Sequence, residues 1–76
     1  MNNARRKVIE NIIVRLEDLK YEIDNVRSDE EETLSNIPEN LQNSERYEIS
    51  ENAVEGLESA YDYIDNAIDS LTDAIG

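Results

Sequence analysis

Between residues 9 and 26, apolar side chains return at alternating steps of three and four: Ile9, Ile12, Leu16, Leu19, Ile23 and Val26. This spacing collects them on one face of an α-helix as a heptad seam, with Ile9, Leu16 and Ile23 at a and the others at d. Val8 and Ile13 widen the stripe near its start. The second half repeats the pattern through Tyr47, Val54, Leu57, Tyr61, Ile64, Ile68, Leu71 and Ile75, with one polar interruption at Ser50. From Ala53 onward it is also an internal repeat, A-V-E-G-L-E-S, A-Y-D-Y-I-D-N, A-I-D-S-L-T-D and A-I-G, each unit opening with alanine. Ala53, Ala60, Ala67 and Ala74 thus fall at g, and the apolar face is three positions wide. Alanine there serves either as the best helix former or as a small residue that lets another backbone approach.

Between the two stripes lies S-N-I-P-E-N-L-Q-N-S, residues 35–44. Pro38 forces Ile37 out of helical geometry, and asparagine and serine supply caps, so this is a turn. A short helical turn starting at Pro38 is compatible with it, and Ile37 and Leu41 are expected to fold back over the open end. The prediction is an all-α chain forming one domain, an antiparallel hairpin of two long helices over about 3–34 and about 44–75. The register that sets a opposite d pairs Ile9 with Leu71, Ile12 with Ile68, Leu16 with Ile64, Leu19 with Tyr61, Ile23 with Leu57 and Val26 with Val54. It brings Lys20 near Glu58 and Arg27 near Glu51, and sets Arg5, Arg6 and Lys7 beside the acidic end of the second helix, which offsets their unfavourable place at a helix start. So small a hairpin has little core of its own. Its wide face predicts a homodimeric four-helix bundle, with Ala53, Val54, Leu57, Ala60, Tyr61, Ile64, Ala67, Ile68 and Leu71 as the self-association residues, or a hairpin that completes its core on a partner.

Composition narrows the chemistry. The 76 residues hold 19 Asp and Glu against 7 Lys and Arg, a formal charge of −12, with no Cys and no His. Neither disulfides, thiolate chemistry, imidazole acid–base catalysis nor a zinc or haem site of the usual kind is available. The longest apolar run, Ile12-Ile13-Val14, is far below the roughly 20 residues of a membrane span, and no secretory signal precedes it. A cytoplasmic protein with no membrane association is expected. Its acidity disfavours direct binding to nucleic acid and favours basic partners.

The acids form two groups. An acidic pole gathers around the turn, from Asp29, Glu30, Glu31, Glu32, Glu39, Glu45, Glu48 and Glu51. Four of these crowd the negative end of the first helix dipole, a local cost that makes the pole the stronger partner-binding candidate. On the second helix Glu55, Glu58, Asp62, Asp65 and Asp69 follow steps of three and four. They make a ridge with carboxylates about 5 Å apart along the axis, a spacing that could imitate nucleic-acid phosphates. Solubility alone is the competing account of both groups. Tyr21 and Tyr63 fall off the seam as partner contacts, whereas Tyr47 and Tyr61 belong to the core. No calcium-binding loop is present, and exposed carboxylates without a pocket have no means of shifting their pKa, so no catalytic, cofactor or metal residues are assigned. Asp69-Ser70-Leu71 matches the attachment triplet of acyl carrier proteins, but it sits late in a heptad helix rather than at a helix start after a long loop.

The central run N-I-P-E-N-L-Q-N-S-E-R-Y-E, residues 36–48, between an acidic helix and an alanine-heptad helix, resembles small acidic helical proteins of bacteriophages and their Gram-positive hosts. That resemblance carries no catalytic residues over. It implies an inhibitor acting in the host cytoplasm on a basic nucleic-acid-handling or defence protein. The expected function is therefore a non-enzymatic acidic binding protein. The alternatives are a self-assembling structural protein and a bundle that takes up a small ligand.

Overall fold

The computed structural model describes all residues from Met1 to Gly76. Two long helices, α1 (Asn3–Ser35) and α2 (Glu45–Ile75), run antiparallel as a hairpin, joined by a connection that holds one 3₁₀ turn, Glu39–Leu41. Each helix begins on a capping side chain: Asn2 Oδ1 accepts from the Arg5 amide at 2.8 Å, and Ser44 Oγ accepts from the Tyr47 amide at 3.3 Å. α1 ends where Asn36 caps it in front of Pro38, and the 3₁₀ turn closes with the Leu41 amide on the Pro38 carbonyl at 2.8 Å. Ile37 folds in as expected, but Leu41 stays 49% exposed on the rim of a shallow groove that it lines with Thr33 and Arg46.

The hairpin is a rod of 59 × 15 × 13 Å with a radius of gyration of 17.3 Å, against about 11 Å for a compact chain of this length. Only Val54, Ile68 and Ser50 are buried. Along α2 the less exposed positions are Tyr47, Ser50, Val54, Leu57, Tyr61, Ile64, Ile68, Leu71 and Ile75, which is the predicted seam, flanked by half-buried Ala53, Ala60 and Ala67 on one side and Asp65 on the other. The seam residues, most of the expected self-association set, are already occupied in packing against α1.

α1 is turned differently from expectation. Its inward stripe is Arg6, Ile9, Ile12, Ile13, Leu16, Lys20, Ile23, Arg27, Glu30 and Leu34. The predicted a residues are in place, and Ile12 is half-buried together with Ile13. At the next two d layers the following residue faces α2 instead, so Lys20 and Arg27 replace the exposed Leu19 and Val26 opposite Tyr61 and Val54. Three contacts fix this register: the Arg6 guanidinium donates to the Ile75 carbonyl, Lys20 Nζ lies 5.2 Å from the Tyr61 ring centroid, and Ser50 Oγ donates to Glu30 Oε1 at 2.6 Å.

Each polar layer has a physical reason to be inside. Arg6 satisfies a carbonyl that the end of α2 leaves without an intrahelical partner, whereas Arg5 and Lys7 make no such contact. Lys20 sets its ammonium over the Tyr61 ring and against Asp65. Glu30 meets Ser50, the most buried residue of the chain at 5% exposure, so the interruption in the α2 stripe is matched by a polar group on α1.

Candidate functional site

Helical spacing gives the hairpin two different long sides. On one side of the seam lie Glu10, Glu17, Asp24 and Glu31 of α1, with Glu48, Glu51, Glu55, Glu58, Asp62, Asp65 and Asp69 of α2. Eleven of the 19 acidic side chains therefore share one flank. The sharing of that side by both helices is visible directly: Asp24, Arg27, Glu58, Tyr61 and Asp62 line one shallow groove.

Two cations reach into this flank from the seam. Lys20 Nζ contacts Asp65 Oδ1 at 2.9 Å, and that hydrogen bond holds the Lys20 pKa above the ordinary lysine value. Arg27 Nε contacts Asp24 Oδ1 at 3.0 Å and its Nη1 contacts Glu31; the Asp24 hydrogen bond is the larger cause of a raised Arg27 pKa. The expected partners of these cations, Glu58 and Glu51, are left free. Lys20 instead reaches Asp65, one helical turn beyond Tyr61, whose ring its ammonium overlies. Arg27 stays within α1, where Asp24 and Glu31 lie three and four residues away on the same face.

The predicted ridge thus remains a continuous line in which Glu55, Glu58, Asp62 and Asp69 are exposed and unpaired, and only Asp65 is engaged. The predicted pole is more divided. Glu30 is turned into the seam against Ser50 and Glu31 is paired with Arg27, while Asp29, Glu32, Glu39, Glu45, Glu48 and Glu51 stay exposed. Sequence reasoning missed Glu10, Glu17 and Asp24 as members of the same acidic side. Their heptad spacing was readable, but assigning them to a flank required the true rotation of α1.

Tyr21 and Tyr63 are 65% and 73% exposed and lie on opposite sides of the hairpin, so they do not form one contact surface. No group of three or more Asp or Glu side chains converges as a metal site, and the three grooves are shallow, with cavity volumes of about 230 to 300 Å³. No helix is long and apolar enough to cross a membrane. No family model matches the chain, and neither a curated protein nor a solved structure does.

Proposed function

We propose that this protein is a non-enzymatic acidic binding module whose acidic flank occupies a cationic groove on a basic partner protein. The observation that carries the reading is the partition of charge: eleven carboxylates share one flank, and the two cations that reach into it from the middle of the seam, Lys20 and Arg27, are each already engaged. The exposed ridge carboxylates step along α2 at about 5 Å intervals on a rigid helix, which suits a groove built for a phosphate backbone. The partner class is therefore a protein that handles nucleic acid. The phage-type resemblance adds the setting, a host or defence protein in the bacterial cytoplasm. Helix rigidity favours the flank over the pole, since the pole spans a turn and has Glu30 and Glu31 engaged.

Capture of basic partners from host lysate at low and high salt tests this reading, because screening shortens from about 10 Å at 0.1 M to about 3 Å at 1 M. Glu55→Lys, Glu58→Lys and Asp62→Lys together should abolish capture. An equal reversal at the pole, Asp29→Lys, Glu32→Lys and Glu45→Lys, should leave most of it. Equal losses would make net charge alone the cause, and salt-independent capture would exclude the electrostatic mechanism. A second activity, self-assembly into a homodimeric four-helix bundle, is favoured by a separate observation: Leu19 and Val26 are 48% and 55% exposed on the opposite flank.

A further inference from the structure

The side of the hairpin away from the carboxylates carries a partly covered apolar strip. Leu19 and Val26 of α1 are 48% and 55% exposed just outside the seam, and the half-buried Ile12 of α1 and Ala53, Ala60 and Ala67 of α2 lie along the same side. Thr33 and Arg46, which continue these two rows toward the turn, line one groove together, so both rows face the same way. The chain exposes 5732 Å², whereas a compact monomer of 8.7 kDa exposes about 4,700 Å². The excess, about 1,000 Å², is close to the roughly 800 Å² per partner that a standard interface removes.

Charge identifies what covers the strip. At −12, two copies repel one another along the acidic flank, but on this side Arg15 and Arg46 stand against Glu22 and Asp29, and Arg15 and Glu22 are exposed and without an ion-pair partner in the hairpin. They lie on either side of Leu19, just as Ile12 and Val26 do at seven residues each way. The strip is therefore complementary to itself when reversed. Gly56 adds a second sign. It sits inside α2 between Ala53 and Ala60, where glycine weakens a helix relative to alanine, and a Cβ there would meet nothing within 4 Å. The hairpin itself gives no reason for the missing side chain, but a second helix lying close against α2 does.

We infer that two copies pair through this strip about a two-fold axis at the level of Leu19 and Ala60. Ile12 then packs on Val26 of the partner subunit, Arg15 meets Glu22 of the partner subunit, and both acidic flanks face outward from a four-helix bundle. This concerns the flank opposite the proposed partner site and stands whether or not that site binds a basic protein.

Sedimentation equilibrium of the full chain tests it, with circular dichroism as the control for folding. The expected mass is twice 8.7 kDa. Leu19→Asp should raise the dissociation constant about 100-fold with helicity retained, because the side chain lies outside the intramolecular seam. Gly56→Leu, which enters open space in the hairpin, should do the same and keeps the test decisive if Leu19→Asp fails to fold. Arg15→Glu or Glu22→Arg alone should weaken pairing about tenfold, and the two together should restore it to within about threefold. A helical monomer at every concentration, or a dimer indifferent to both Leu19→Asp and Gly56→Leu, overturns the inference. A double reversal no better than the single ones overturns the two-fold arrangement.

Discussion

The two long sides of this hairpin are made from the same two helices, yet one is a field of carboxylates and the other a strip of Ile12, Leu19, Val26 and alanines. A rotation of α1 by about half a residue step, which keeps Ile9, Leu16 and Ile23 inside, separates them. Had Leu19 and Val26 faced α2, the seam would be more apolar, but the outer strip would vanish and Lys20 and Arg27 would stand further from their carboxylates. The hairpin takes the less hydrophobic seam and satisfies it, with Lys20 on Tyr61 and Asp65, Glu30 on Ser50, and Arg6 on the end of α2. Burial alone therefore does not decide which stripe of an amphipathic helix turns inward. Satisfied polar layers decide it too, as buried polar positions fix register in coiled coils.

The largest effect on this division is expected from breaking the seam that both flanks share. Leu57→Asp or Ile64→Asp places a charge among apolar side chains with no partner and should cost on the order of 3 kcal/mol or more, with loss of helicity in circular dichroism. A smaller effect comes from the layer that sets the rotation. Ser50→Ala removes the donor to Glu30 and should destabilise by about 1 to 3 kcal/mol in urea melts. Combining it with Glu30→Leu should recover much of that loss, since no carboxylate is then left without its donor, and a double-mutant cycle measures the coupling. The smallest effect is at Lys20. Its pKa is raised in the folded chain by Asp65, so its contribution to stability is complete below the ordinary lysine value of 10.5 and is lost as pH rises through the higher folded value. Thermal melts above pH 10 should show this alkaline loss, and Lys20→Met should remove that part of it.

How much of this was readable in the sequence differs between the helices. The seam of α2 was legible because its apolar residues form one stripe, broken only at Ser50, with alanine on one side and carboxylates on the other. The two helix spans and the turn at Pro38 were legible from caps and proline chemistry. α1 was harder, because it carries two adjacent stripes. One is fully apolar at Ile12, Leu19 and Val26, and the other mixes Ile13 with Lys20 and Arg27. Hydrophobic periodicity selects the first; the structure keeps Ile12 half-buried but uses the second stripe at the Lys20 and Arg27 layers, where the cations reach the carboxylates from the seam. The ridge from Glu55 to Asp69 was legible from spacing alone. The extension of that acidic side onto Glu10, Glu17 and Asp24 was not, as it depends on the rotation of α1.

The division between flanks is tested most directly by disulfide capture, because the chain contains no cysteine and a single one can be placed on either side. Leu19→Cys puts a thiol on the axis of the inferred two-fold, and Glu58→Cys puts one on the acidic flank. Under mild oxidation at equal concentration, the account predicts rapid and nearly complete covalent dimer from Leu19→Cys and almost none from Glu58→Cys. Equal rates, or faster linkage through Glu58→Cys, would contradict the assignment of one side to self-pairing and the other to a basic partner.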